Sequence, residues 1–354
     1  MSETFAERLL DWQLVHGRHD LPWQNPRHPY RVWVSEIMLQ QTQVGTVIPY
    51  FLRFMERFPD VRALAGAALE DVNRCWAGLG YYRRARFLHQ AANTIVRDFD
   101  AQWPRTESAW ASLPGIGRST AAAIVSQAYD VPAAILDGNV KRVLCRLHAL
   151  AGDPGSSSVT DRLWALAVSL LPNRDGARYT QASMDLGATV CLPRGPRCES
   201  CPVQELCLAR QRGIAELLPT RVAKKAIPTR HTCWLVMTDQ AGRIALCQRP
   251  PTGVWPALWC LPEADSKDAL ARAWQQAPSA LAESATVRHT FTHFRLVARV
   301  FRACATHGHA VDGVDGAGQS WAVHDRASIW VDLQDSALPA MPAPVRKLLL
   351  STTP

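Results

Sequence analysis

The 354-residue sequence contains no uncharged apolar run long enough to span a membrane. Its first residues, MSETFAERLLDWQLV, contain two glutamates and have apolar residues at helical spacing, so they predict an amphipathic helix rather than a signal peptide. We therefore expect a cytoplasmic protein without a membrane anchor. In such a reducing compartment, the ten cysteines are expected to be free thiols or metal ligands rather than disulfides.

The first 190 residues lack a convincing pair of β-strands and instead show repeated helical periodicity, which predicts an all-α fold for this half. Beyond residue 230 the pattern changes to alternating and β-branched segments, which predict a mixed α/β domain. Helices are predicted over 3–16, 30–47, 87–100, 106–112, 138–150, 156–171, 179–190, 265–275 and 344–350. Residues 231–238, 242–250 and 286–305 are rich in β-branched and aromatic residues with runs of alternation.

Acidic residues are absent from the segment LPTRVAKKAIPTR, residues 218–230, which has four basic residues and two bounding prolines. It accounts for half of the formal net charge of +8. We interpret it as a basic linker between a domain of residues 1–217 and a domain of residues 231–354. The excess of positive charge favours a polyanionic partner, although a solvated loop without a partner would have the same composition.

A glycine-rich turn, LPGIG, precedes a helix of small residues and, further on, a carboxylate at Asp137. Gly115 and Gly117 can adopt the positive φ angles that place backbone N–H groups on one side of a loop, and the helix dipole would favour an anion there. The turn is thus a candidate phosphate-binding site, and an ordinary helix-entry turn is the alternative.

Four cysteines, Cys191, Cys198, Cys201 and Cys207, lie within 17 residues among three prolines. Thiolates this close in sequence can converge on one centre. Zinc ribbons usually pair two short C-x-x-C motifs, whereas this sequence has a single short pair. The uneven spacing favours a [4Fe–4S] cluster over zinc.

Two further segments contain side chains with possible chemical or binding roles. Glu36 is an acid among Val34, Ile37 and Met38, so it is either on a narrow exposed stripe or partly desolvated with a raised pKa. In LGYYRRAR, residues 79–86, paired tyrosines adjoin three arginines. Aromatic rings can wedge between bases while arginines neutralise phosphates, although buried tyrosines on a surface helix would look similar.

Taken together, these motifs resemble the adenine DNA glycosylases, the MutY family within the endonuclease III superfamily, over nearly the whole chain. The segments that match are LPW at 21–23, SEIMLQQTQV at 35–44, GLGYYRRAR at 78–86, LPGIGRSTA at 113–121, ILDGNVKR at 135–142, the four cysteines, RPPTGVW at 249–255 and RHTFTHF at 288–294. The resemblance implies a multidomain protein: an all-α helix-hairpin-helix glycosylase domain with an iron–sulfur loop, and a C-terminal α/β Nudix-like domain. It implies removal of adenine from A·8-oxoguanine or A·G mispairs in duplex DNA. We expect a monomer, because the sequence shows no heptad seam, and association with the nucleoid if the source is bacterial.

The resemblance also implies roles for particular residues. Glu36 would protonate adenine N7 and activate water, Asp137 would face the positive sugar, Asn139 would orient these carboxylates, and Ser119 would lie in the pocket. Residues expected to contact DNA are Gln40, Gln41, Tyr81, Leu113, Gly115, Gly117, Lys141, Thr292 and His293. His19 stands where relatives often have Arg or Lys.

Three other functions remain open on the sequence. A bifunctional glycosylase/lyase would need a lysine nucleophile where this chain has Ser119, and serine cannot form a Schiff base. A non-catalytic DNA-binding protein would leave Glu36 and Asp137 without a role. A nucleotide pyrophosphatase would need the glutamate cluster of active Nudix enzymes, which is missing after Gly253.

Overall fold

The structure, a computed structural model, describes residues 4–220, 226–305, 327–335 and 338–351. Two units emerge from the packing: residues 1–66 with 87–224, and residues 67–86 with 225–354. Residues 221–225, at the centre of the predicted basic linker, lie outside the described residues. The inclusion of residues 67–86 in the second unit was not predicted.

The described part of the first unit is helical, which confirms the predicted all-α half. Its helices are α1 (Phe5–His16), α2 (Pro29–Leu39), α3 (Val44–Arg57), α4 (Val61–Ala65), α6 (Arg83–Asp98), α7 (Glu107–Ala111), α8 (Arg118–Tyr129), α9 (Gly138–Leu147), α10 (Ser157–Ser169), α11 (Gly176–Asp185) and α12 (Leu208–Gln211). Helix α5 (Leu69–Trp76) and the first turn of α6 belong to the second unit. A π-helical turn, Leu186–Val190, continues α11. Side-chain caps mark some of the helix starts: Thr4 and Glu7 form a capping box at α1, and Asp137 caps α9.

The single helix predicted over residues 30–47 is wrong. Helix α2 ends at Leu39 and α3 begins at Val44. Between them Gln41 has a φ of 58°, a left-handed conformation that a right-handed helix of L-residues cannot include without cost. The chain therefore turns at the glutamine pair instead of passing through it as a helix.

The position of α2 is fixed by an aromatic cluster. Trp33 is completely buried, and its ring centroid lies 6.4 Å from that of Trp103 and 5.9 Å from that of Trp110. Trp103 and Trp110 stack on each other at 6.1 Å. Rings of this size bury large apolar areas. Glu36, one turn along α2 from Trp33, is thereby attached to a rigid part of the core.

The second unit is built on a sheet that confirms the predicted mixed α/β half. Its strands are β1 (Thr229–Thr238), β2 (Ile244–Gln248), β3 (Trp259–Cys260), β4 (Glu263–Ala264), β5 (Ala282–Thr290), β6 (Arg295–Cys304) and β7 (Ser328–Val331). Strands β3, β2, β1, β6 and β5 follow one another across the sheet; β1 and β6 are parallel, and β5 and β6 form an antiparallel hairpin. Helices α13 (Lys267–Ala273) and α14 (Ala343–Leu350) belong to the same unit. Among the described residues, no helix of the protein is long and apolar enough to cross a membrane.

Candidate active site

Glu36 is half-buried on α2, where Gln127 of α8 donates a hydrogen bond from Nε2 to its Oε1 at 2.7 Å. Burial raises the pKa of Glu36 to about 7; the bond from Gln127 opposes this shift and the negative charge of Asp137 adds to it. Of the two readings of the sequence, desolvation is therefore correct. A carboxyl with this pKa is protonated in a large fraction of molecules at neutral pH, as a general acid must be.

Asp137 is the second carboxylate, and its negative charge helps to raise the pKa of Glu36. Its Oδ1 accepts a hydrogen bond from the backbone N–H of Val140 at 2.7 Å, which caps helix α9. Burial raises the pKa of Asp137, while hydrogen bonds from the backbone N–H groups of Val140 and Asn139 lower it. The start of α9 thus stabilises negative charge on Asp137 at a half-buried position.

Ser119 connects the first turn of α8 to the chain just before Asp137. Its Oγ accepts a hydrogen bond from the backbone N–H of Leu136 at 2.9 Å. This contact fixes the segment on which Asp137 begins α9.

Asn139 is the second residue of α9, and its side chain is hydrogen-bonded by an arginine of the same helix. Its Oδ1 accepts a hydrogen bond from Nη2 of Arg142 at 2.9 Å, and the same nitrogen donates to the carbonyl oxygen of Gly187 at 2.7 Å. A Cβ on Gly187 would lie 2.5 Å from Cβ of Asn139, so only glycine permits this approach. Arg142 also donates from Nε to the carbonyl oxygen of Cys191 at 2.7 Å, which links this helix to the cysteine loop.

The LPGIG turn has the predicted form at one glycine and not at the other. Gly115 has a φ of 78°, and a Cβ there would lie 2.6 Å from Cβ of Phe87. Gly117 has a φ of −92°, so the expected positive φ is wrong at that position; it is the N-cap of α8. Within the described residues no side chain caps this end of α8, which leaves its first N–H groups for another acceptor. Leu113 is buried at the start of the turn.

The remaining predicted residues of this unit have mixed surroundings. Gln40 is half-buried and Gln41 exposed at the break after α2. Lys141 donates from Nζ to the carbonyl oxygen of Pro154 at 2.8 Å. Nε2 of His19 donates a hydrogen bond of 3.0 Å to the carbonyl oxygen of Gln13.

The four cysteines of the predicted cluster line one cavity. Burial raises the pKa of the Cys201 thiol to about 11, and the other three thiols add to the rise, so all four face a common space. Arg146 lies beside them: its Nη1 donates to Sγ of Cys191 at 3.3 Å, and its buried Nη2 has no hydrogen-bond partner among the described residues. An orphaned cationic donor beside four thiols fits an anionic tetrathiolate cluster. In the described parts of the chain, no three His, Cys, Asp or Glu side chains form the ligand set of a single metal ion.

Two family models match the chain. The HhH-GPD superfamily base excision DNA repair protein matches residues 34–167, and the NUDIX domain matches residues 233–351. The first covers both carboxylates, the LPGIG turn and Ser119. The second covers most of the sheet unit.

Adenine DNA glycosylases are among the similar proteins. That of mouse is 46% identical over 252 residues, and that of human is 43% identical over 261 residues. The chain spans about half the length of these two relatives, 48% and 47%. The adenine DNA glycosylase of Buchnera aphidicola subsp. Schizaphis graminum is 32% identical over 352 residues, which are 98% of this chain and 98% of the relative.

The chain belongs to the adenine DNA glycosylase family. A likeness to solved structures supports the same fold for the helical part: a thermostable thymine-DNA glycosylase has a TM-score of 0.54 at 28% identity, covering 59% of this chain and 95% of that one. A non-covalent endonuclease III–DNA complex has a TM-score of 0.51 at 22% identity, covering 59% of this chain and 94% of the other, and shows the fold alone.

In this member of the adenine DNA glycosylase family, the predicted DNA contacts of the second unit are on its surface. Thr292 and His293 are exposed at the tip of the β5–β6 hairpin, and the rings of the flanking residues Phe291 and Phe294 stack on each other. Tyr81 is 50% exposed.

Sequence reasoning missed several residues that shape the site. Gln127 was not singled out, although a glutamine in an otherwise small and apolar helix is a usable signal. The buried arginines Arg142 and Arg146 join helix α9 to the cysteine loop. Their spacing of four residues places both on one helix face, but nothing in the sequence alone indicates which carbonyl groups they bind.

Proposed function

We propose that this protein excises adenine paired with 8-oxoguanine or guanine in duplex DNA, by hydrolysis of the N-glycosidic bond and without cutting the strand. Membership of the adenine DNA glycosylase family supports the reaction. The observation that best supports the mechanism is the pair of carboxylates in one site, Glu36 with a pKa of about 7 and Asp137 at the start of α9.

In this mechanism the target adenine leaves the base stack, at a cost of a few kcal/mol. The protonated carboxyl of Glu36 donates its proton to N7 of adenine, which makes the base a better leaving group. As the bond to the sugar breaks, positive charge develops on the sugar and the carboxylate of Asp137 stabilises it. Ionised Glu36 then accepts a proton from the attacking water. Asn139 orients the carboxylates, and Ser119 holds the segment before Asp137.

The other predicted residues bind DNA. Tyr81 wedges beside 8-oxoguanine, and Gln40 and Gln41 fill the space around the displaced base. Thr292 and His293 contact 8-oxoguanine, with the hydroxyl of Thr292 as a hydrogen-bonding group. The DNA backbone is gripped at the LPGIG turn by Leu113, Gly115 and Gly117, and near α9 by Lys141.

Cys191, Cys198, Cys201 and Cys207 would hold a [4Fe–4S] cluster. When bound, the cluster supplies a rigid tetrathiolate crosslink that orders residues 191–207 for DNA binding. The protein acts as a monomer in the cytoplasm, with residues 1–217 as the glycosylase domain, 218–230 as the linker and 231–354 as the domain that recognises 8-oxoguanine.

The test is Asp137→Asn, assayed for adenine release from an A·8-oxoguanine duplex under single-turnover conditions, together with the affinity for the same duplex. We expect release to be lost and affinity to be roughly retained, because the change removes the charge and keeps the side-chain size. Release at the wild-type rate would refute the mechanism. Lack of release by the wild-type protein itself would refute the proposed activity.

A further inference from the structure

The segment Ala67–Arg86 packs as part of the same unit as the C-terminal sheet. It contains α5 and the turn that ends in Tyr81 and Tyr82. This unit therefore includes both the residue proposed to wedge beside 8-oxoguanine and the β5–β6 tip proposed to contact that base. The question is what fixes the wedge to the sheet.

The two parts of the unit are joined by hydrogen bonds. The hydroxyl of Tyr82 donates to the carbonyl oxygen of Met341 at 3.2 Å, and the hydroxyl oxygen accepts from the backbone N–H of Gly78 at 3.2 Å. Nε1 of Trp259 donates to Oε1 of Glu70 at 3.2 Å. A third bond between the two parts runs from Nη1 of Arg86 to the carbonyl oxygen of Pro251. Tyr82 is 5% exposed, so its bonds are shielded from water.

Tyr81 itself is held in an unusual conformation. Its φ is 51°, in the left-handed region that an aromatic residue seldom adopts. Such a conformation persists only where the surroundings impose it. Here Nε1 of Trp76 and Nη2 of Arg84 donate to the carbonyl oxygen of Gly80 at 3.1 and 3.2 Å, and the Arg84 guanidinium lies 5.4 Å from the centre of the Tyr81 ring.

From these contacts we propose that Tyr82 is a positioning residue for the wedge. By joining the amide of Gly78 to the carbonyl group of Met341, its hydroxyl fixes the turn that presents Tyr81 against the C-terminal domain. That domain thus presets the wedge in addition to contacting the damaged base itself. The inference rests on the proposed function, because it takes Tyr81 to act beside 8-oxoguanine.

The test is Tyr82→Phe, which removes the hydroxyl and keeps the buried ring. We expect it to weaken the affinity for an A·8-oxoguanine duplex by roughly three- to tenfold, the effect of one hydrogen bond. In a Tyr81→Ala background the same change should have no further effect, because the group that it positions is gone. Tyr129→Phe is the matched control: it removes a hydroxyl that donates to the carbonyl oxygen of Pro104 at 2.9 Å in the other unit. It should leave the affinity unchanged.

An equal loss of affinity in the presence and absence of the Tyr81 ring would overturn the inference, since a general structural role predicts additivity. An unchanged affinity of Tyr82→Phe would overturn it too. If Tyr82→Phe does not fold, Trp259→Phe, which removes the bond to Glu70, takes its place. Its affinity for the duplex is then compared in the presence and absence of the Tyr81 ring, and the same two results would overturn the inference. If Tyr81→Ala alone binds and cleaves like the wild type, the wedge assignment is wrong. Adenine release by the wild-type protein tests the proposed activity separately.

Discussion

Replacing Gln127 with leucine should move the alkaline limit of adenine release to higher pH. Glu36 must be protonated to donate to adenine, so the rate of release should fall as the pH rises through its pKa of about 7. The bond from Gln127 at 2.7 Å favours the ionised carboxylate and so lowers this pKa. Without that bond, ionised Glu36 loses a partner and its protonated form persists to higher pH.

The size of the shift follows from the hydrogen bond. A bond to a charged group contributes about 1.5–3 kcal/mol, and one pKa unit corresponds to about 1.4 kcal/mol, so the midpoint should rise by about 1–2 pH units. The assay is the single-turnover rate of adenine release from an A·8-oxoguanine duplex, measured between about pH 5.5 and 9.5 so that it includes both the wild-type midpoint near 7 and the raised midpoint of the variant.

Ser126→Ala is the matched control, because it removes the hydroxyl that accepts a buried hydrogen bond of 2.8 Å from Oγ1 of Thr180, at the position of α8 next to Gln127. Its midpoint should stay near that of the wild type. A Gln127→Leu midpoint that is unchanged, or that moves to lower pH, would refute the role of Glu36 as the proton donor whose pKa is set by Gln127.

Two other changes test the turn and the cysteine cavity. Gly115→Ala should destabilise the protein by about 1–3 kcal/mol and weaken DNA binding, because alanine is strained at a φ of 78° and its Cβ would overlap Phe87. Gly117→Ala, the control, should fold normally. Equal melting temperatures for the two variants would contradict this prediction. Cys198→Ser should reduce the brown colour of an iron–sulfur protein and the affinity for duplex DNA, whereas Cys304→Ser, at the exposed last residue of β6, should change neither. A colourless wild-type protein containing zinc would refute the cluster.

Periodicity was enough to predict the helical half, the sheet half and most of their elements. It failed at Gln41, because one residue with positive φ ends a helix whose apolar pattern continues past it. The positive φ expected at Gly117 rested on the conformational freedom of glycine instead, and it was wrong because the helix cap there uses an extended conformation that any residue can adopt. Local patterns indicate which residues favour a helix, but a single residue with positive φ changes these patterns very little.

The candidate site, too, was predicted only in part. Glu36, Asp137, Ser119 and the four cysteines were predicted from motifs, because each motif places its residues at a fixed spacing in the sequence. Gln127, which is 91 residues from its partner Glu36, was not found. The packing of residues 67–86 with the C-terminal sheet was also missed, since it depends on hydrogen bonds to main-chain carbonyl groups far away in sequence, such as that of Met341. Every residue has a main-chain carbonyl group, so the sequence does not indicate which of them accepts a given hydrogen bond.

The central claim is hydrolysis of the glycosidic bond by two carboxylates, with Ser119 in place of a lyase lysine. The most direct test incubates the wild-type protein with an end-labelled A·8-oxoguanine duplex and divides each sample into portions with and without hot alkali. We predict strand breaks at the adenine position only after alkali, because removal of the base leaves an intact abasic strand. Strand breaks without alkali would contradict the account, since they would require an amine nucleophile that forms a Schiff base.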